Sequence, residues 1–164
     1  MALPSHVVIR PAVPDDAEAL AHLHLDVWDD AYAGLVPQSV LDDRRDKVAE
    51  RVERWREILE GSAATWVAEE EHGLVGFVST GPARDNDMEE LLELYALYVR
   101  ATHWGTGLGF ALFETAVGDR AAYLWVLVGN ERAIRFYERQ GFRLDGTEDE
   151  HDEGLHVRMV RAGT

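Results

Sequence analysis

Three groups of residues in this chain have the types and spacing to do chemistry. The first is Trp104-Gly105-Thr106-Gly107-Leu108-Gly109, which stands between an apolar run and a helical stripe. Glycines at alternate positions let the backbone approach a ligand closely. The unpaired N–H groups of a helix N-terminus, backed by the helix dipole, favour an anion such as a diphosphate. The segment has neither the Gly-Lys-Ser/Thr of a Walker loop nor the G-x-G-x-x-G of a dinucleotide site. Its bland alternative is a tight turn that needs glycine for positive φ. The second group is Glu93, the sole charge in the apolar run Leu91 to Val99. A carboxylate desolvated there has its pKa raised toward the range of a general base, unless it merely caps the start of a strand. The third is Asn130-Glu131-Arg132-Ala133-Ile134-Arg135-Phe136-Tyr137-Glu138-Arg139-Gln140-Gly141-Phe142. Asn130 is a good N-cap there, while Ala133, Phe136 and Tyr137 at helical spacing read, taken alone, as core. His22 and His24 lie two apart on a predicted helix and do not face one another, so no metal site is expected.

These residues need elements to hold them. Val7-Val8-Ile9, halted by Pro11, predicts a first strand. Asp15 as N-cap, with Glu18 three residues on, predicts a helix whose stripe includes Leu20, Ala21, His24, Leu25 and Trp28. One further helix is expected from Ser39 to Gly61, with Val48, Val52, Trp55 and Leu59 inward. Thr65 to Ala68 and Leu74 to Thr80 predict a hairpin through Gly73, followed by a polar loop from Gly81 to Asp87. Leu91 to Val99 and Tyr123 to Val128 are near-continuous apolar runs, as in strands buried on both faces. A helix follows each, one starting at Leu108 and one capped by Asn130 and closed by Gly141. Phe142 to Leu144 and Leu155 to Val160 predict two last strands around an acidic loop, Asp145 to Glu153. The expected architecture is therefore α/β: one mixed, mainly antiparallel sheet of about seven strands with four helices, in a single domain spanning 1–164.

Composition excludes other classes. The 164 residues hold no cysteine, which removes disulfides, thiolate nucleophiles and iron–sulfur clusters together. Asp and Glu number 31 against 16 Lys and Arg, a formal charge of -15, so the summed field repels nucleic acid and suits cationic partners. The longest apolar run, Ala121 to Val128, has eight residues against the ~20 of a membrane helix. Residues Met1 to His6 lack the basic and apolar regions of a signal peptide, and a cytoplasmic location without membrane partners is expected.

The segments "YALYVRATHWGTGLGFAL" and "NERAIRFYERQGF", in that order, resemble the two signature motifs of the GNAT N-acetyltransferase superfamily. The element order is also similar to that family's acyl-CoA N-acyltransferase fold. The resemblance covers Glu93 to Phe142 and implies transfer of an acetyl group from acetyl-CoA to an amine, with acetyl-CoA as cosubstrate and no metal. It implies that the backbone of Leu97, Tyr98 and Val99 meets the pantetheine arm. Gly105, Thr106, Gly107, Leu108 and Gly109 would hold the diphosphate, beside Trp104, where the family usually carries Gln or Arg. Asn130 would reach the pantetheine, with Ala133 and Phe136 on the same helix against the donor. Tyr137 would protonate the leaving thiolate, Glu93 would be the base, and the N–H of Tyr98 would stabilise the oxyanion. The acceptor would meet the first helices, where Trp28 and Tyr32 share a face. Homodimer pairing through the last strands also follows from the resemblance. Two other readings use the same residues: a CoA-binding interaction protein without turnover, and a nucleotide-binding module built on the glycine turn.

Overall fold

The computed structural model describes residues 6–163; Met1–Ser5 and Thr164, and with them most of the N-terminal stretch read above for a leader, lie outside the described residues. Seven strands are present: β1 (Val8–Pro11), β2 (Ala64–Glu70), β3 (Gly73–Pro82), β4 (Leu92–Val99), β5 (Ala122–Leu127), β6 (Arg143–His151) and β7 (Gly154–Arg161). The helices are α1 (Ala17–Tyr32), α2 (Gln38–Asp46), α3 (Val48–Glu60), α4 (Leu108–Ala116) and α5 (Glu131–Arg139). The strands form one sheet in the order β1-β2-β3-β4-β5-β7-β6, in which β4 and β5 are parallel and every other pair is antiparallel.

Alternation along the central strands sorts side chains to two faces. Leu94, Leu124 and Val126 face α4 and α5, packing with Leu108, Leu112, Phe113 and Phe142. Val67 and Phe77 face the other way, against Leu20, Leu23 and Val27 of α1 and Trp55 of α3. A smaller cluster of Tyr32, Val36, Leu41 and Leu127 fastens α2 and the end of α1 to the sheet beyond β5. Among the described residues no helix is long and apolar enough to cross a membrane.

The structure differs from expectation in three places. There are five helices rather than four, because the segment from Ser39 to Gly61 breaks at Lys47, whose backbone leaves helical geometry at φ -102 and ψ 28. No Gly or Pro marks the break. At the start of α1 it is Asp16, not Asp15, that organises the turn: its carboxylate accepts the Val13 N–H at 2.8 Å and both Nη groups of Arg10 at 2.9 Å. Finally, the acidic stretch after Leu144 is largely strand. β6 runs to His151 with a bulge between Leu144 and Glu148, and its residues are almost all exposed. An edge strand dense in carboxylates resists pairing with another chain.

Candidate active site

Two strands that begin as partners and then separate create the site. β4 pairs with β5 only at Leu92, Leu94 and the Glu93 between them, opposite Ala122 to Leu124. Immediately afterwards the β3–β4 register slips at Tyr95, a bulge on β4 that adds bend and twist. From there to Val99 no β5 residue pairs with β4, and a cleft of about 550 Å³ occupies the gap. Its β4 wall is Leu97, Tyr98 and Val99. Asn130, Ala133, Phe136 and Tyr137 form the α5 wall, and Trp104, Gly105 and Gly107 to Gly109 the mouth. Nearly all the residues expected to bind the donor thus meet in one cavity. Thr106 is the exception: its hydroxyl turns inward to the carbonyl of His103 at 2.6 Å and pins the turn.

The three glycines do different work. Gly105 and Gly107 have φ of +76 and +89, values that side chains rarely adopt, so the turn itself requires them. Gly109 does not have positive φ, and a Cβ placed there would meet only Val99 Cγ2 at 4.0 Å. The protein leaves room at Gly109 that its own packing does not use. Trp104 fills the position of the usual Gln or Arg without replacing their donors: its indole N–H bonds the Val99 carbonyl at 2.9 Å. Its ring instead carries the Arg132 guanidinium, 3.7 Å from the centroid, at the cleft mouth. Arg100, another cation near the turn, is engaged with Asp26 at 2.7 Å and the Leu74 carbonyl at 2.9 Å.

Asn130 caps α5 by accepting the Ala133 N–H at 3.4 Å, and its side chain, which lines the cleft, also reaches the Tyr32 hydroxyl. Tyr137 is 8% exposed, and burial pushes its phenol pKa well up, so it stays a proton donor at neutral pH. Tyr98 is pushed up by burial too, and its hydroxyl lies 2.6 Å from that of Tyr32.

Glu93 requires correction. It is 1% exposed, does not line the cleft, and accepts from the Arg84 backbone N–H at 3.0 Å, from Arg84 Nη2 at 2.6 Å and from the Tyr123 hydroxyl at 2.6 Å. Burial pushes its pKa up, but Arg84 and Tyr123 outweigh burial and hold it below the ordinary glutamate value. The basis for a raised pKa is gone, and with it the reason to make Glu93 the base. Trp28 and Tyr32 do stack on one face of α1, ring centroids 4.9 Å apart, yet neither lines the cleft; Val27 and Ala31 are what α1 contributes there.

Two further groups with shifted pKa had no sequence signal. Arg44 lies over Trp28 at 3.4 Å, its pKa pushed down to about 10 by burial and by Arg51. His156, opposite Leu127 in the β5–β7 register, has its pKa lowered by burial, with Glu153 3.8 Å from its Nε2. Arg44 comes from α2, and only the fold places it near Tyr32 and Tyr98; His156 comes from the β6–β7 hairpin and does not line the cleft.

Residues 61–144 match the model of the acetyltransferase (GNAT) domain. The chain belongs to the GNAT acetyltransferase family. It is 29% identical over 147 residues to a probable N-acetyltransferase of Mycobacterium tuberculosis, Rv2775, covering 87% of this chain and 83% of that one. It is also 29% identical over 165 residues to the uncharacterized N-acetyltransferase YuaI of Bacillus subtilis, covering 96% and 91%. Its fold is that of the PaiA N-acetyltransferase of Thermoplasma acidophilum, whose crystal structure is of a complex with coenzyme A: TM-score 0.75 at 19% identity, over 96% of this chain and 99% of that one. This GNAT protein is accordingly an acetyltransferase, with the mixed sheet and parted β4 and β5 described above.

Proposed function

We propose that this GNAT protein takes an acetyl group from acetyl-CoA and delivers it to a primary amine by direct attack in a ternary complex. The observation that carries the reading is the cleft between β4 and β5, which gathers Leu97 to Val99, the glycine turn, Asn130 and Tyr137 around one cavity. The coenzyme A complex of PaiA, a protein of the same fold, supports the donor class. The pantetheine arm lies along β4 on the edge that β5 has left, while β3 pairs with the opposite edge of Leu97 to Val99. The diphosphate rests on the N–H groups at the start of α4, with Arg132 on its Trp104 shelf as the nearby cation.

The amine nitrogen attacks the thioester carbon, the oxyanion takes the N–H of Tyr98, the C–S bond breaks, and sulfur receives the Tyr137 proton. The proton that the amine must lose passes through solvent to the acceptor face. Acetyl-CoA is expected to stabilise the protein thermally, and a panel of primary amines to release free thiol from it. Tyr137→Phe should retain donor binding and lose about 10²-fold or more in kcat. Absence of any stabilisation by acetyl-CoA would overturn the reading.

A further inference from the structure

We propose that His6, Glu70 and His103 form a site for one divalent transition ion of the zinc class. Glu70 Oε2 lies 3.2 Å from His6 Nε2 and 3.1 Å from His103 Nε2, and the donor atoms of all three fall within 4.8 Å of one another. Ligand atoms about 2.0–2.1 Å from a tetrahedral ion stand roughly 3.3 Å apart, and the two edges that Glu70 Oε2 makes with the histidines already have that length. The ligands come from three places in the fold: two residues ahead of β1, the last residue of β2, and the short 3-10 turn after β4. Nothing in their sequence spacing brings them together.

The same distances suit a hydrogen-bonded trio, from which zinc titration distinguishes an ion. Thr102 Oγ1 is 2.9 Å from His103 Nδ1. With its proton on Nδ1 and donated to Thr102, His103 turns its Nε2 lone pair toward Glu70 Oε2 at 3.1 Å, where an ion could bind both. A hydrogen bond at the outer ring nitrogen orients a metal-bound imidazole. Two imidazoles and a carboxylate suit zinc, nickel or copper and give a hard ion such as magnesium little reason to bind. Three protein ligands leave a fourth position to water. His103 also lines the donor cleft and directly precedes Trp104 and Gly105. A bound ion therefore braces the segment that enters the glycine turn against β2.

The test uses the full chain stripped of metal and titrated with zinc chloride by calorimetry, with cobalt(II) absorption as a second reading. One ion per chain is expected, with a rise in Tm and the visible bands of a four-coordinate cobalt centre. His6→Ala and Glu70→Gln should each weaken zinc binding at least about tenfold. The His6 side chain is 63% exposed, so its loss leaves the fold intact, which circular dichroism of the metal-free variant checks. His151→Ala, in the β6–β7 hairpin, should bind zinc as the parent does. The proposal is overturned by absence of saturable zinc binding, by equal affinity in the His6 and Glu70 variants, or by magnesium binding as well as zinc.

Discussion

At the scale of single residues, the glycine turn separates two demands that sequence alone runs together. Gly105 and Gly107 are glycine because the backbone turns through positive φ. Gly109 is glycine with no such need, in the first turn of α4, where alanine would ordinarily be the better residue. Gly109→Ala should therefore raise folding stability by up to about 1 kcal/mol while weakening acetyl-CoA at least tenfold, because the added methyl stands where the diphosphate must come close. Urea unfolding and calorimetric donor binding measure the two effects on the same sample. Unchanged donor affinity would mean that the phosphates do not sit on the start of α4. Trp104 follows the same logic: the missing side-chain donor is replaced by a shelf for Arg132 rather than by another phosphate ligand.

At the scale of elements, the short zipper between β4 and β5 both opens the cleft and uses up Glu93. The carboxylate takes hydrogen bonds from Arg84 and Tyr123 across the few residues where the strands still pair, fastening the loop after β3 to both. Glu93→Gln keeps the shape and loses the charge-assisted bonds, so it should cost about 1–3 kcal/mol of stability. It should leave the pH–rate profile of the folded enzyme unshifted. Loss of an acidic limb in that profile would restore Glu93 as the base. What the sequence revealed here follows from its physics. The buried strands, the glycine turn and the stripes of α4 and α5 were readable because hydrophobic periodicity and capping are local. The break at Lys47 has no Gly or Pro to announce it, and β6 is an exposed acidic edge without apolar alternation. The partners of Glu93 lie in a loop and on another strand, so its isolation among apolar residues suggested desolvation and could not reveal the ion pair.

At the scale of the whole molecule, the charge of -15 acts in two ways. Over long range, in the proposed reaction, it would draw a cationic amine and repel the phosphates of acetyl-CoA. Raising salt from low ionic strength should lower kcat/KM for a cationic acceptor and leave the donor's apparent affinity level or improved, since exposed charges are screened beyond about 10 Å at 0.1 M. At short range the excess acid is partly stored in ion pairs, and that sets the response to pH. Arg158 is 4% exposed and bonds Asp85 at 3.0 Å, Asp87 at 2.7 Å and Asp145 at 2.7 Å. Its guanidinium lowers the pKa of Asp87, and at Asp145 the pull of burial upward is overcome by bonds from Thr147 and Arg158. Asp16, beside Arg10, and Asp26, beside Arg100 and Arg45, are lowered in the folded state as well. A carboxylate whose folded pKa lies below its unfolded value contributes stability that is present above the unfolded value, near 4, and lost as pH falls through the folded one. His24 and His156, held neutral by burial, act in the same direction from their unfolded value near 6.5, so stability should fall gently below about 6.5 and more steeply below about 4. Arg158→Met should cost about 2–3 kcal/mol at pH 7, a loss tempered because its partners are partly solvated, and distinctly less at pH 3, where those partners are taking up protons. Urea unfolding of both proteins at the two pH values checks it, and an equal cost at both would mean that Arg158 stabilises through packing against Tyr123 and Trp125 rather than through its charge.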